Sequence, residues 1–211
     1  MRMKENAMKN RQLKPAYNVQ HGVDAEYITW LTVAPELTDI TTFIPFLKRI
    51  EKNSNFKYLK IVDDARYESE ENYSFIEENN QISFIKPSNY EISKTRKYKN
   101  DISRIDNMDY YSESDLFICQ NGKKLIANWI KIRKSKTGYE SVNTIYICED
   151  CSNCNYKSQC IKGNNSKISL EKRTKKFETS KKFNRQRKDD LERIITDEGI
   201  LLRMNRSIQA E

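Results

Sequence analysis

Residues 58–76 read YLKIVDDARYESEENYSFI. An apolar run closes on Val62 and stops at two adjacent carboxylates, Asp63 and Asp64, with Glu68, Glu70 and Glu71 close behind. The run predicts a short strand. Ser69 predicts a helix N-cap, since its hydroxyl accepts from an otherwise orphaned N–H, and Glu70 and Glu71 fall in the first turn, where the helix dipole favours negative charge. Tyr73, Phe75 and Ile76 then supply a buried side. A strand feeding directly into a helix suits a sheet with helices packed on it. Side chains alternate along a strand, so only one of Asp63 and Asp64 aims into a site at its end. Two readings of these acids stay open: they cap and solubilise the junction, or one of them holds a metal.

Upstream, AYNVQHGV (16–23) and EYITWLTVA (26–34) are rich in Tyr, Val, Ile and Thr and predict an antiparallel hairpin around Asp24-Ala25. LTDITTFIPFLKRIEK (37–52) changes period. Ile40, Phe43, Ile44, Leu47 and Ile50 recur at helical spacing. Pro45 is tolerated only near a helix start, which makes Thr41 or Thr42 the expected N-cap, with Asn53-Ser54-Asn55 as the end. ISFIK (82–86), before Pro87, is a further strand. The expected fold class is therefore α/β.

From residue 88 the character changes. SKTRKYKN (93–100) is basic and polar, and DLFICQNGKKLIANWI (115–130) places Asn121-Gly122 between apolar runs, a strong hairpin signal. SVNTIYIC (141–148) adds a strand and leads into CEDCSNCNYKSQC (148–160). Residues 162–188 then hold eleven Lys or Arg against two Glu. RKDDLERIITDEGILLRMNRSIQAE (187–211) is expected to be helical, broken near Gly199. The expected organisation is a basic segment at 1–15, the first part of an α/β core at 16–87, a β-rich insertion with the Cys cluster at 88–163, and a basic stretch with C-terminal helices at 164–211.

The totals narrow the function classes. The 211 residues carry a formal charge of +8 and are 32% charged. Lys and Arg in such excess favour a polyanionic partner, because they displace counterions from phosphate backbones. Five Gly and four Pro exclude a low-complexity chain. No secretory h-region and no bilayer-length apolar run is present, so the expected location is cytoplasmic, without membrane contact, with reduced thiols. Neither a G-x-G-x-x-G nor a P-loop pattern occurs. His21 is the only histidine and has no paired nucleophile in view.

Cys148, Cys151, Cys154 and Cys160 are spaced C-x2-C-x2-C-x5-C, with Cys119 upstream at a strand end. Tetrahedral zinc takes four such thiolates, usually brought in pairs by tight turns. Cys151 cannot serve two turns at once, so Cys119 and Cys148 compete for the fourth place. Cys119, Cys151, Cys154 and Cys160 form the favoured set, with Cys148 as the alternative ligand. The site would be structural, and the competing reading is a group of unmetallated buried thiols.

Taken in order, LKPAYNVQHGVD, ELTDITTFIPFLKRIEK, IVDDARYESEENY, FICQNGKKL with CEDCSNCNYKSQC, and GILLRMNRSIQAE resemble the DDE transposases of bacterial insertion sequences. The closest likeness is to the subgroup with a Cys-rich insertion before the last acidic helix. The resemblance implies an incomplete ribonuclease H-like mixed sheet, a double-stranded DNA substrate (transposon ends and target), and homo-oligomerisation in an intact parent. It implies catalysis by carboxylates holding Mg²⁺, which accepts oxygen ligands from acids, waters and phosphates. Carried over residue by residue, the second acid of the pattern falls on Asp64 and the last on Glu211. Arg203 and Arg206 of the same helix, and Lys175, Lys176, Lys181 and Lys182 of the basic stretch, become candidate DNA contacts. Met204 and Ile208 would pack that helix down.

Two departures accompany the resemblance. Arg66 stands where the pattern has Gly, and the first acid of the pattern belongs to a strand before AYNVQ that this chain does not contain. Asp24 and Asp39 are the nearby acids, and neither has the right place. The expectation is a transposase fragment, inactive by itself. The alternative function is a non-catalytic, zinc-stapled DNA-binding or regulatory module.

Overall fold

The computed structural model describes residues 16–36, 38–163 and 167–210, with Ala210 described by its backbone alone. The basic segment 1–15 and Glu211 lie outside the described residues. The elements run β1 Asn18–Asp24, β2 Tyr27–Ala34, α1 Ile40–Ser54, β3 Lys60–Asp63, α2 Glu70–Glu78, β4 Ile82–Ile85, α3 Tyr90–Ser93, α4 Arg96–Lys99, β5 Asp109–Tyr111, β6 Leu116–Ile118, β7 Lys124–Lys134, β8 Glu140–Cys148, α5 Lys157–Cys160, β9 Lys176–Thr179, α6 Lys181–Ile194 and α7 Asp197–Ala210. The fold is mixed α/β. It divides into two compact units, one formed by residues up to Ser88 together with those from Arg185, the other by Asn89–Asn184.

In the first unit, β1 and β2 form the expected hairpin, turning at Ala25, whose φ of 54° is left-handed. Helix α1 packs on it through Phe43 and Ile50, and buried Gln20 donates to Thr42. The helix begins earlier than Thr41 or Thr42 suggests. Asp39 is its N-cap residue, so both threonines lie in its first turn, and Thr42 Oγ1 donates back to the Asp39 carbonyl. Asn55 closes the helix in the left-handed conformation.

Strands β3 and β4 pair in parallel, with Lys60 opposite Ile82 and Asp63 opposite Ile85, and α2 makes the crossover between them. Ser69 caps α2 as expected, accepting from Asn72 N at 3.1 Å. Tyr73 and Ile76 are buried beneath α2, together with the polar Asn72 and Ser74. Buried Asn72 donates to the carbonyls of Tyr67 at 2.8 Å and Ile40 at 3.3 Å, which fixes the starts of two helices together.

Two carboxylates brace this unit from inside. Asp190 of α6 is fully buried and accepts from Ser83 Oγ and the backbone N of Ile85, each at 2.7 Å. Burial pushes its carboxyl upward in pKa, opposed by the bond from Ser83 and by the Arg193 guanidinium. Glu68 takes both arms of the Arg187 guanidinium, at 2.6 and 3.0 Å, and the backbone N of Ser88 at 2.9 Å.

The second unit is a five-stranded antiparallel sheet in the order β5-β6-β7-β8-β9. The hairpin expected at Asn121-Gly122 joins β6 to β7, with Gly122 at φ 72°. The core of this sheet is Met108, Phe117, Leu125, Tyr146 and Cys148, closed by Phe177, whose ring lies 5.1 Å from that of Phe117. The C-terminal helical segment breaks at Ile195-Thr196, not near Gly199, which sits inside the first turn of α7. Ile200 N donates to the Thr196 carbonyl and Gly199 N to Thr196 Oγ1, so Thr196 caps the new helix.

Candidate functional site

The acids that open the sequence argument lie at the C-terminal end of β3, where the parallel pair stops. The expectation that alternation aims only one of them at this end is not met: Asp64 has left the strand, and both acids lie near Arg206 and Tyr67. Asp63 is the last residue of β3 and is mostly covered; burial and the neighbouring Asp64 carboxylate push its pKa up to about 7, against the pull of Arg206. Asp64 turns the chain. Its Oδ1 accepts from Arg66 N at 2.8 Å, and its Oδ2 accepts from Arg206 Nη2 at 3.1 Å. The capping reading and the site reading of this acid are thus compatible, since one oxygen serves each.

Arg206 belongs to α7, so this ion pair fastens the end of that helix to the end of β3. Gln209, one turn on, donates to the Ala25 carbonyl at the β1–β2 turn. Glu211 lies outside the described residues. The packing expected of Met204 and Ile208 is corrected: they are 56% and 72% exposed. The side of α7 that is partly covered carries Leu202, Arg203 and Arg206, at the i, i+1 and i+4 spacing of one helix face.

Tyr67 was not singled out by sequence. Burial holds its hydroxyl protonated far above its ordinary range, and Asp63, Asp39 and Asp64 add to the effect while Arg206 opposes it. Asp39 in turn accepts from Asn18 Nδ2 at 2.6 Å and lies 3.9 Å from the Arg66 guanidinium. Three carboxylates and the Arg206 guanidinium thus act on one aromatic side chain. The adjacent pair Asp63-Asp64 was the available signal; Asp39 reaches the group only through the tertiary fold.

The second chemical feature is the thiol pocket of the sheet unit. Cys119, Cys148, Cys151, Cys154 and Cys160 all line one cavity, with Lys157 and Lys175 at its wall. Turns present them. Gly122 N donates to the Cys119 carbonyl at 2.8 Å, Lys157 N to the Cys154 carbonyl at 3.1 Å, and Asn153 takes φ 51° between Cys151 and Cys154. The backbone N of Lys175 donates to Cys151 Sγ at 3.4 Å. Cys148 stands apart: it is 3% exposed, packs in the aromatic core, and donates from Sγ to the Asp150 carbonyl at 3.4 Å. Burial pushes its thiol up to about 12, helped by Cys151 and Cys119. The Cys160 thiol is also raised, by burial first and then by Cys119, Cys151 and Cys154, while Lys175 lowers it. As placed, no group of three or more His, Cys, Asp or Glu among the described residues is arranged to hold a metal ion. The five cysteines nevertheless share one cavity.

The basic candidates have separate surroundings. Lys175 turns its ammonium inward, to the carbonyls of Ser103 at 2.7 Å and Cys160 at 3.2 Å. Lys181 pairs with Asp115 at 2.6 Å. Lys176 lies 6.0 Å from the centre of the Trp129 ring and Lys182 5.8 Å from that of Tyr139.

Among the described residues no helix is long and apolar enough to cross a membrane. Residues 118–211, a little under half of the chain, match the family model described as a transposase DDE domain. This stretch contains the five cysteines, the basic segment and α7 with the RMNRSIQAE end, whereas the DARYESEENY block (64–73) lies outside it. No curated protein and no solved structure matches the chain.

Proposed function

We propose that this chain is part of the catalytic domain of a DNA transposase, with double-stranded transposon ends and target as substrate. In this reading the core is ribonuclease H-like and is built from residues 16–87 and the C-terminal helices of 164–211, interrupted by a Cys-rich β insertion over 88–163. The observation that carries it is the joint between Asp64, at the end of a parallel strand, and Arg206, on the helix that leads to Glu211. Strand cleavage and transfer require acids from distant parts of the sequence to meet at one edge of a sheet. Here Asp64, directly after β3, is pinned to α7 by Arg206, four residues before Ala210.

Asp64 and Glu211 would hold Mg²⁺, since hard carboxylate oxygens are the donors it selects. The ion, when bound, polarises the phosphoryl oxygen and lowers the pKa of the attacking water or hydroxyl. Asp64 is held in orientation by Arg66 N and Arg206, and a guanidinium of this kind is also a bidentate partner for phosphate. Arg203 lies one turn back on the same partly covered side of α7.

The thiol pocket belongs to the same reading as a structural zinc site. Cys119, Cys151, Cys154 and Cys160 are the ligands favoured by the surroundings, because Cys148 is sunk in the core and spends its S–H on Asp150. The cost is proton release, since burial holds the Cys160 thiol protonated and a bound metal needs thiolate.

Cleavage of a duplex that requires Mg²⁺ or Mn²⁺ and disappears in Asp64→Asn, in a polypeptide that carries all the family acids, is the expected result. Salt-sensitive DNA binding by that polypeptide with no cleavage under any divalent cation would favour the alternative, a zinc-stapled DNA-binding or regulatory module, for which the thiol pocket within a basic sheet is the supporting observation.

A further inference from the structure

We propose that the arm formed by β7 and β8 is a duplex-DNA contact, made through its outer, basic face. The inference rests on the DNA-acting reading above and adds a surface to it. Strand β7 has eleven residues, but its neighbours cover only one end of the ribbon. Strand β6 pairs with Lys124–Ile126, and β9 pairs with Thr144–Ile147 of β8. Beyond these, residues 131–134 pair only with 140–143, so a two-stranded ribbon continues past the sheet and ends in the turn at Ser135–Tyr139.

Register sorts its side chains. The irregularity between Ala127 and Trp129 swaps the faces, placing Trp129, Lys131 and Arg133 together, opposite Ile145, Asn143 and Ser141. Strand β9 extends this face with Glu178 and Lys176, where Arg133 binds Glu178 and Lys176 stands over the Trp129 ring. Three cations thus share the face with one acid. Lys136 adds a cation at the tip, and Trp129 remains 44% exposed among them. The opposite face carries Ile130, Ile132 and Val142, and its one cation, Lys134, is paired with Glu140.

A two-stranded antiparallel ribbon is one of the few protein elements that fits the major groove of B-form DNA. Cations spaced two residues apart along such a ribbon reach successive phosphates and displace their counterions. The paired amide and hydroxyl of Asn143 and Ser141, bonded to each other at 3.1 Å, stand between those cations as hydrogen-bonding groups. A ribbon that served only to close the sheet would have no need to extend past both neighbours with Lys131 and Arg133 on one face.

The test is duplex binding by fluorescence anisotropy across a salt series, with a labelled 25-base-pair duplex and the whole chain. Each lost phosphate contact reduces the slope of log Kobs against log salt by ~0.9, so Lys131→Gln/Arg133→Gln is expected to lower it by about two and Lys131→Gln alone by about one. Ile132→Thr, on the apolar face, is expected to leave it unchanged. An unchanged slope in both basic variants overturns the arm assignment while the DNA-acting reading stands. A slope reduced equally by Ile132→Thr overturns the choice of face. Wild-type protein that binds no duplex even at low salt overturns both readings together. Circular dichroism of each variant separates lost contacts from lost fold, and the single Lys131→Gln change carries the test if the double variant fails to fold.

Discussion

At the scale of single residues, the two neighbouring acids at the end of β3 do different work. Asp63 is covered and titrates near neutrality, while Asp64 is held by Arg66 N and Arg206. The shift has a definite consequence for stability. The folded carboxyl binds a proton with a pKa of about 7, against 3.8 for an ordinary Asp. Between those values the native state holds more protons than the unfolded chain, so stability falls as pH rises from about 4 to 7. Asp63→Asn is expected to flatten this slope and to raise stability at pH 8 by about 1–3 kcal/mol, the lower figures reflecting the residue's partial exposure. Urea midpoints measured across pH for both proteins check it; a slope that survives the substitution removes the assignment. Glu68 matters as the partner of Arg187. Glu68→Gln leaves the Arg187 fork with a neutral partner inside the unit. The expected loss is about 3 kcal/mol, at the low end for a broken buried pair because Arg187 still reaches solvent. Arg187→Met in the same background should recover part of it.

At the scale of elements, Gly199 offers the sharpest test. A Cβ there would meet the Arg193 carbonyl oxygen at 2.2 Å and Ile194 Cα at 2.7 Å, both backbone atoms of the preceding helix. In an open helix Gly→Ala gains about 1 kcal/mol. Here it must pry α6 from α7, and Gly199→Ala is expected to lower stability by about 2 kcal/mol instead, read from the denaturant midpoint. A stabilised variant would mean that the corner opens freely. The same position shows how far elements were legible. The break expected near Gly199 falls three residues earlier, where Thr196 caps α7, and the glycine permits the close packing that follows. Local chemistry with a fixed offset was readable: the Ser69 cap, the Asn121-Gly122 hairpin and the β1–β2 turn all stand where their residues place them. Features that depend on what comes from elsewhere in the chain were not. The fully buried Asp190, which meets the edge of β4, lies in a run of charges that reads as solvated surface. Lys175, one of many lysines in a basic stretch, turns inward to two carbonyls. Arg206 was legible as a helix residue near the site, but its pairing with Asp64 required the strand and helix to be brought together.

At the scale of the whole molecule, the question is where so polar a chain finds its stability. Only 37% of its residues are hydrophobic, and many large apolar side chains remain exposed, including Ile28, Ile130, Ile132 and Ile208. The sheet unit has a core of five buried residues, one of them Cys148. A core this small is commonly supplemented by a metal or a cross-link. The thiol pocket adjoins that core through Cys119 and Cys151, so a metal held there would tie the β6–β7 turn, the end of β8 and α5 into one structure. A ligand that binds only the folded state adds about 2.7 kcal/mol at a hundredfold excess over its dissociation constant. For a chain of this length that corresponds to a rise in melting temperature of about 5–10 °C. Zinc added to protein purified with a chelator is therefore expected to raise the melting temperature by this amount, with about one equivalent retained after gel filtration. Cys119→Ser and Cys154→Ser should abolish both effects, whereas Cys148→Ser should lower the starting stability and keep the zinc response. Retention of less than one equivalent by the wild type, or a response lost in Cys148→Ser and kept in Cys119→Ser, would reassign the pocket. The first outcome makes it a cluster of packed thiols, and the second makes Cys148 the fourth ligand.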